Sequence, residues 1–288
     1  MFPPRFDYVA PQSIDEVLAL LAQHGDDAKV LAGGQSLIPL MKFRFAAPKL
    51  VVDINNVPGL DGIEERDGAL RIGARARHNQ IADSPVIKES WSLIAACAPL
   101  VADPIVRNLG TIGGSLVHAD PGGDWGTAML ALNAEIVARS SGGERTIPVS
   151  ELFEGTYTTT LRPDELVTEI RIPKPAGPAG GTYLKLERKV GDFATVAAAV
   201  QLELSNGSIA RAGIALTAVG PTNVRATAAE DSLAGVAPSD AAFAEAARLA
   251  AEVADPATDT RGTAEYKKEV ARVYVQRGLA RALEIARG

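Results

Sequence analysis

The sequence predicts an α+β fold in two domains. The first spans 1–175 and is built of two α/β units, at about 1–56 and 57–175; the second spans 176–288 and combines an antiparallel sheet with helices. Three observations carry this reading. The first 56 residues alternate helix, strand, loop, helix and strand signals. The run Pro173-Lys174-Pro175-Ala176-Gly177-Pro178-Ala179-Gly180-Gly181 is the sharpest change of composition in the chain and reads as a linker. Beyond it Val200, Leu202 and Leu204 alternate with Gln201, Glu203 and Ser205 before Asn206-Gly207, the pattern of a hairpin with one wet face.

In order, Ser13-Ile14-Asp15-Glu16 reads as a capping box, and Ile14, Val17, Leu18 and Leu21 keep helical spacing until Gly25 stops it. Lys29 to Ala32 forms a short strand, Leu37 to Met41 a short apolar helix, and Leu50 to Ile54 a second strand. Gly62–Glu64 and Ala69–Ala74 flank the charged turn Glu65–Gly68, a second hairpin. Asn79 to Ala98 is helical with a break at Ser84-Pro85, and Pro99 and Pro104 end that stretch. Trp125 to Leu132 gives a helix, Glu135–Arg139 and Glu144–Val149 a hairpin, and Glu165–Ile172 a closing strand. After the linker and its hairpin, helices fall near 226–233, 240–253 and 264–287; Val270, Val273, Tyr274 and Arg277 on the last read as a solvated face.

Composition excludes several function classes. With 47% hydrophobic and 22% charged residues the chain is not disordered, and a net charge of −6 without a lysine–arginine stripe excludes nucleic acid as a partner. The single cysteine, Cys97, forms no internal disulfide and no self-contained cysteine-ligated cluster, so any redox chemistry falls to an organic cofactor. No signal peptide and no apolar run of bilayer length occur, and a cytoplasmic protein is expected. Walker, Rossmann, nucleophile-elbow and zincin spacings are all missing, and His24, His78 and His118 stand alone, which is commoner for packing or surface residues than for ligands.

Two paired-glycine segments remain: Ala32-Gly33-Gly34-Gln35-Ser36, running on into Leu37, and Thr111-Ile112-Gly113-Gly114-Ser115. Residues without a Cβ let a diphosphate approach backbone N–H groups, and the nearby hydroxyls and amide add donors, while neither segment contains lysine or arginine. Both are expected to be loops with bare N–H groups gripping one dinucleotide diphosphate; ordinary small-residue turns are the alternative.

Leu31 to Lys42, Thr111 to Ser115 and the Asp120-Pro121-Gly122-Gly123-Asp124 run closely resemble the flavin-binding subunit of molybdenum hydroxylases, the family of the carbon monoxide dehydrogenase medium subunit and the flavin portion of xanthine dehydrogenase. The resemblance continues through Lys185 to Ala194 and covers the whole chain. It implies an N-terminal FAD-binding domain of the PCMH type, similar to vanillyl-alcohol oxidase, and a C-terminal flavoprotein domain. It places the FAD diphosphate on the two glycine segments, a sugar-hydroxyl contact on Asp124, weaker positions near the ring on Leu166, Val167 and Lys185, and residues close to the isoalloxazine on Asp192 and Phe193. Gln35 stands where some relatives have histidine, Ser115 where asparagine is common, and Phe193 where tyrosine often lies. The resemblance further implies electron transfer from a [2Fe–2S] small subunit, a molybdopterin-binding large subunit that oxidises the substrate, and an external electron acceptor. It assigns no protein acid or base, and no protein-bound metal, to this chain. A stand-alone flavin oxidoreductase with its own substrate, or a binding module for another nucleotide, are the competing readings.

Overall fold

The computed structural model describes residues 2–288. The first unit runs β1 (Asp7–Val9), α1 (Ile14–His24), β2 (Ala28–Leu31), α2 (Leu37–Lys42) and β3 (Leu50–Asp53). The strands form a parallel sheet in the order β1-β3-β2, with Tyr8 and Lys29 both in register with Val51. In the cap of α1 the Ser13 hydroxyl accepts from the Glu16 N–H at 3.2 Å, but the Glu16 carboxylate reaches back to the N–H of Gln12 at 2.8 Å, one residue earlier than in a capping box. Gly25, at φ 50°, ends the helix as expected. Val17, Leu18 and Leu21 then bury against Val52 and Ile54. Because the strands are parallel, the loops leaving β2 and β3 emerge at the same end of the sheet, the end at which open α/β sheets take ligands.

The second unit holds β4 (Ile63–Arg66), β5 (Ala69–Gly73), α3 (His78–Asp83), α4 (Pro85–Ser90), α5 (Ser92–Cys97), α6 (Pro104–Leu109), α7 (Ile112–His118), α8 (Asp124–Ala131), β6 (Glu135–Ser140), β7 (Gly143–Pro148), β8 (Phe153–Gly155), β9 (Thr158–Thr159) and β10 (Leu166–Pro173). Its sheet is antiparallel in the order β4-β5-β10-β6-β7. Two expectations change here. Pro104 opens a helix rather than ending one: it stands at the first position of α6, where no N–H is needed, behind Asp103, whose carboxylate accepts from the Val106 N–H at 2.8 Å. The second glycine segment is the first turn of α7 rather than a loop. The small β8–β9 hairpin carries no alternating pattern in its sequence.

The last part contains β11 (Ala179–Leu186), β12 (Val196–Ser205), β13 (Ser208–Thr217), β14 (Val224–Arg225), α9 (Thr227–Leu233), α10 (Asp240–Glu252) and α11 (Ala264–Arg287). Its strands form an antiparallel sheet in that order, and Asn206-Gly207 turns β12 into β13 with φ of 51° and 79°. The wet face expected for this hairpin does not exist over most of its length. Val196, Ala198, Val200 and Leu202 pack with residues of α10 and α11, while Ala197, Ala199 and Ala215 face the core of the second unit. A sheet covered on both sides needs small residues where helices press closest. An added Cβ at Gly213 would lie 1.9 Å from the carbonyl oxygen of Ala131 on α8, and one at Gly180 would lie 2.2 Å from that of Ala282 on α11. On α11 the buried stripe is Ala271, Val275, Gly278, Leu279 and Ala282; Val270 and Tyr274 are half-buried beside it, and of the four residues read as a solvated face only Arg277 is exposed.

Polar groups also cross the seam. Asp124, at the start of α8, accepts from the Tyr183 hydroxyl at 2.7 Å and from the Lys185 ammonium at 3.0 Å. The Tyr183 oxygen lies 3.0 Å from that of Thr217, which bonds Thr127 at 2.7 Å, and Asn223 donates to Thr127 at 2.8 Å and to the Gly123 carbonyl at 3.0 Å. Among the described residues no helix is long and apolar enough to cross a membrane.

Two stability predictions follow from this seam. Gly213→Ala is expected to cost about 1–3 kcal/mol in denaturant unfolding, because α8 blocks the new methyl, whereas Gly142→Ala on an exposed turn changes stability by less than about 0.5 kcal/mol. Lys185→Met strands a buried carboxylate and is expected to cost about 3–5 kcal/mol, with Asp124→Asn in the same chain recovering part of the loss.

Candidate functional site

β2 delivers the chain to Ala32 at the carboxyl end of the parallel sheet, and Gly34, at φ 72°, turns it into α2. Among the described residues, no protein acceptor takes the backbone N–H groups of Gly33, Gly34, Gln35 and Ser36. The Ser36 hydroxyl makes no cap bond, Leu37 opens α2, and the Gln35 side chain folds back to donate to the Gly33 carbonyl at 3.1 Å. Four consecutive half-buried residues whose N–H groups have no protein acceptor could hold an anion.

The second segment lies directly beside the first. A Cβ at Gly33 would stand 2.3 Å from the carbonyl oxygen of Leu109 and 2.7 Å from the Cα of Gly110, so the two backbones touch one residue before Thr111. Its donors differ from expectation. Ile112 and Gly113 give their N–H groups to the carbonyls of Ala76 and Ala74, at 3.1 and 2.9 Å, Gly114 to the Thr111 hydroxyl at 3.2 Å, and Ser115 to the Thr111 carbonyl at 3.0 Å. Gly113 is buried, and an added Cβ would lie 2.6 Å from the Ala74 carbonyl oxygen, so this glycine serves helix packing. In this segment the Thr111 N–H and the hydroxyl of half-buried Ser115 are the donors without a protein partner among the described residues.

The segment is braced from behind. His78 donates its backbone N–H to Gly110 at 3.0 Å, and its ring Nδ1 accepts from the Trp125 indole N–H at 3.0 Å. Burial, aided by the charge of Arg107, pushes the His78 imidazole down to about 4, so the ring is neutral at pH 7.

The other residues singled out from the sequence divide into two groups. Asp124 and Lys185 are buried partners in the seam. Burial pushes the Asp124 carboxyl up and Lys185 and Tyr183 draw it back, while each carboxylate oxygen keeps an unused lone pair. Leu166 and Val167 are core residues of β10, in different apolar clusters, and neither side chain reaches the surface. Asp192 and Phe193 sit on the loop between β11 and β12, which Arg261 fastens by donating to the Phe193 carbonyl at 2.6 Å and to Asp192 at 3.0 Å. The Phe193 ring is 54% exposed and lies over Gly122, where a Cβ would be 3.2 Å from it. Gly191 of the same loop abuts Asp103, which caps α6. A continuous belt thus runs from Gly33 through Gly110 and Thr111, along α7 to Gly122, and across to Phe193 on one side and Asp124 and Lys185 on the other.

Sequence reading missed Asn55, His78, Tyr183, Arg261 and Asn223. Tyr183 and Lys185, two apart on one strand, were legible as sharing a face. The others act through contacts far apart in the chain that leave no local pattern. His118, the histidine nearest the second segment in sequence, stands at the far end of α7 with its ring 5.1 Å from that of Tyr157.

Residues 4–175 match the family model for the FAD binding domain in molybdopterin dehydrogenase, and residues 181–282 that for the CO dehydrogenase flavoprotein C-terminal domain. The carbon monoxide dehydrogenase medium chain of Hydrogenophaga pseudoflava is 44% identical over 279 residues, covering 97% of each chain. Subunit alpha of the 6-hydroxypseudooxynicotine dehydrogenase complex of Paenarthrobacter nicotinovorans is 41% identical over 288 residues, covering all of this chain and 97% of that one. A solved structure of carbon monoxide dehydrogenase from Hydrogenophaga pseudoflava, lacking the Mo-pyranopterin moiety of its molybdenum cofactor, matches with a TM-score of 0.96 at 46% identity over 99% of both chains. The chain belongs to the FAD-binding medium subunits of molybdenum hydroxylases, and its cofactor is FAD.

Proposed function

We propose that this chain is the electron-transfer subunit of a heterotrimeric molybdenum-containing hydroxylase, receiving electrons from [2Fe–2S] clusters in a small subunit and passing them to an external acceptor. The observation that carries the reading is the cradle of four acceptor-free N–H groups at Gly33 to Ser36, which Gly33 holds in backbone contact with Leu109 and Gly110, the residues that lead into Thr111. These groups fit the diphosphate of FAD. When bound, FAD supplies the exchange between single electrons and electron pairs. The protein's own residues bind and orient: Gly33 and Gly34 let the backbone approach, and Ser36, Thr111 and Ser115 add donors. Lys185, Asp192 and Phe193 stand toward the C-terminal sheet, where we place the flavin ring. With one cysteine, buried in α5, the chain leaves iron–sulfur ligation to a partner. The substrate of the assembled enzyme is set in the molybdenum subunit, which accords with relatives named for substrates as different as carbon monoxide and 6-hydroxypseudooxynicotine.

Expressed with its neighbouring subunits, the chain is expected to copurify with molybdenum and iron–sulfur subunits and to carry one FAD, read from the flavin absorbance. Alone, it is expected to turn over no small organic donor. A colourless chain that ignores added FAD overturns the cofactor placement, and turnover by the isolated chain favours the stand-alone oxidoreductase.

The grip is tested on hydroxyls rather than glycines, since a side chain at Gly33 or Gly113 collides with protein backbone whether or not FAD is present. Ser36→Ala and Ser115→Ala are each expected to weaken FAD about twofold to tenfold in fluorescence titration, the effect of one ordinary hydrogen bond, with unchanged melting of the flavin-free chain. An effect at only one of the two serines would contradict a diphosphate held from both sides.

A further inference from the structure

The carbonyl of Ala32, the last group before the acceptor-free amides, is tied to the end of the neighbouring strand. Asn55 donates from its side-chain amide to the Ala32 carbonyl at 2.8 Å and to the Asp53 carboxylate at 2.8 Å. The same Asp53 oxygen accepts the Asn55 backbone N–H at 2.8 Å, closing an Asx turn. The other Asp53 oxygen accepts from the hydroxyl of Tyr8 at 2.6 Å. Tyr8 belongs to β1, a three-residue strand at the sheet edge, and its side chain otherwise lies in solvent, the residue being 57% exposed. A relay therefore runs from Tyr8 on β1 through Asp53 at the end of β3 to Asn55, which alone bonds the backbone oxygen of the segment that follows β2.

This chain of bonds has a geometric consequence. A carbonyl and the following N–H belong to one rigid peptide plane, so fixing the Ala32 oxygen fixes the direction of the Gly33 N–H. Gly33 and Gly34 have no side chains to restrict their torsions, and Gly34 sits at φ 72°; left alone, such a segment samples many orientations. The opposite side of Gly33 is fixed by the Leu109–Gly110 backbone. Between these two restraints the start of the segment is held before an anion arrives, and the ordering cost of binding falls.

The geometry points to Asn55, Asp53 and Tyr8 as positioning residues that preset the first glycine segment for the FAD diphosphate, linking the N-terminal strand to cofactor affinity. The inference rests on the FAD placement proposed above. Asp53 carries the relay as a carboxylate: partial burial raises it, but the Tyr8 hydroxyl and the two Asn55 donors more than offset this and hold it below the ordinary aspartate value. Tyr8 is raised, chiefly by its bond to Asp53.

The full chain, stripped of flavin and titrated with FAD, tests this. Asn55→Ala, which loses two side-chain bonds, and Asp53→Ala, which loses three, are each expected to raise the FAD dissociation constant roughly tenfold, and Tyr8→Phe, which loses one, about twofold. Asp53→Asn keeps an acceptor for Asn55, and its amide can donate to the Tyr8 oxygen; it is expected to bind within about twofold of the unmodified chain and to restore the visible circular dichroism of the bound flavin. Backbone amide NMR relaxation in flavin-free protein gives a readout independent of FAD: the amides of Gly33 to Ser36 should show lower order parameters in Asn55→Ala, with those of Thr111 to His118 unchanged. Folded Asn55→Ala and Asp53→Ala proteins that bind FAD like the unmodified chain overturn the inference. So does equal weakening by Asp53→Asn and Asp53→Ala, which would make the carboxylate's charge the cause. If the unmodified chain itself takes up no FAD, the cofactor placement fails instead, and the relaxation comparison still decides whether the segment is preset.

Discussion

The site depends on one contact between backbones. Gly33 meets Leu109 and Gly110 so closely that a methyl group would lie 2.3 Å from a carbonyl oxygen. That contact joins the first α/β unit to the second, and it does so at the residues that carry donors. Were the two units held apart by ordinary side chains, each glycine segment would face solvent alone, and a diphosphate would meet one set of donors at a time. The bracing behind each segment acts toward the same end. His78 and Trp125 hold Gly110, while Asn55 and Asp53 hold Ala32, and none of these four contributes an ion pair to the cradle.

The C-terminal sheet is built on the same principle of close approach. Small residues on both faces of β11 to β13 let helices press in from either side, which explains the abundance of alanine and glycine and the scarcity of aromatics in the composition. Apolar contact alone would let such smooth surfaces slide. The Asp124, Tyr183, Lys185, Thr217, Thr127 and Asn223 network fixes the register, because a buried polar group displaced from its partner costs several times what a correct bond returns. Lys185 and Asp124 are therefore structural as placed.

Where the sequence was informative, the determinants were local. Ser13 and Gly25 frame α1, Asn206-Gly207 turns a hairpin, and the alternation after Gly181 marks strands, all within a few residues of the structure. The errors share a cause. Pro104 looks like a stop until Asp103 is seen capping the turn it opens, and Gly113 looks like a bare donor until Ala74, in the turn after β5, is found taking its N–H. The polar residues of β12 suggested water on one face because period-two patterns cannot show that a second layer of protein covers that face. Asn55 could not have been found at all, since its partners Ala32 and Asp53 are set by sheet pairing. The glycine segments were legible as a pair because each carries its chemistry in consecutive residues; the groups that hold them in place are not consecutive with anything.

On the FAD placement proposed above, the cradle would bind a doubly charged diphosphate without a cation in either segment. A lysine or arginine would attract the phosphates over a longer range, but it must first give up its own water or an existing ion pair, and its flexible stem would have to be ordered on binding. Backbone amides already restrained by Ala32, Gly110 and the sheet below them carry neither cost. Affinity built this way depends on the alignment of the amides more than on charge, so residues that only orient them count as much as those that touch the ligand. It follows that the weak points of the site lie one layer back, at Asn55 and His78, where an ordinary-looking substitution would leave every ligand-facing residue in the sequence and still spoil the cradle.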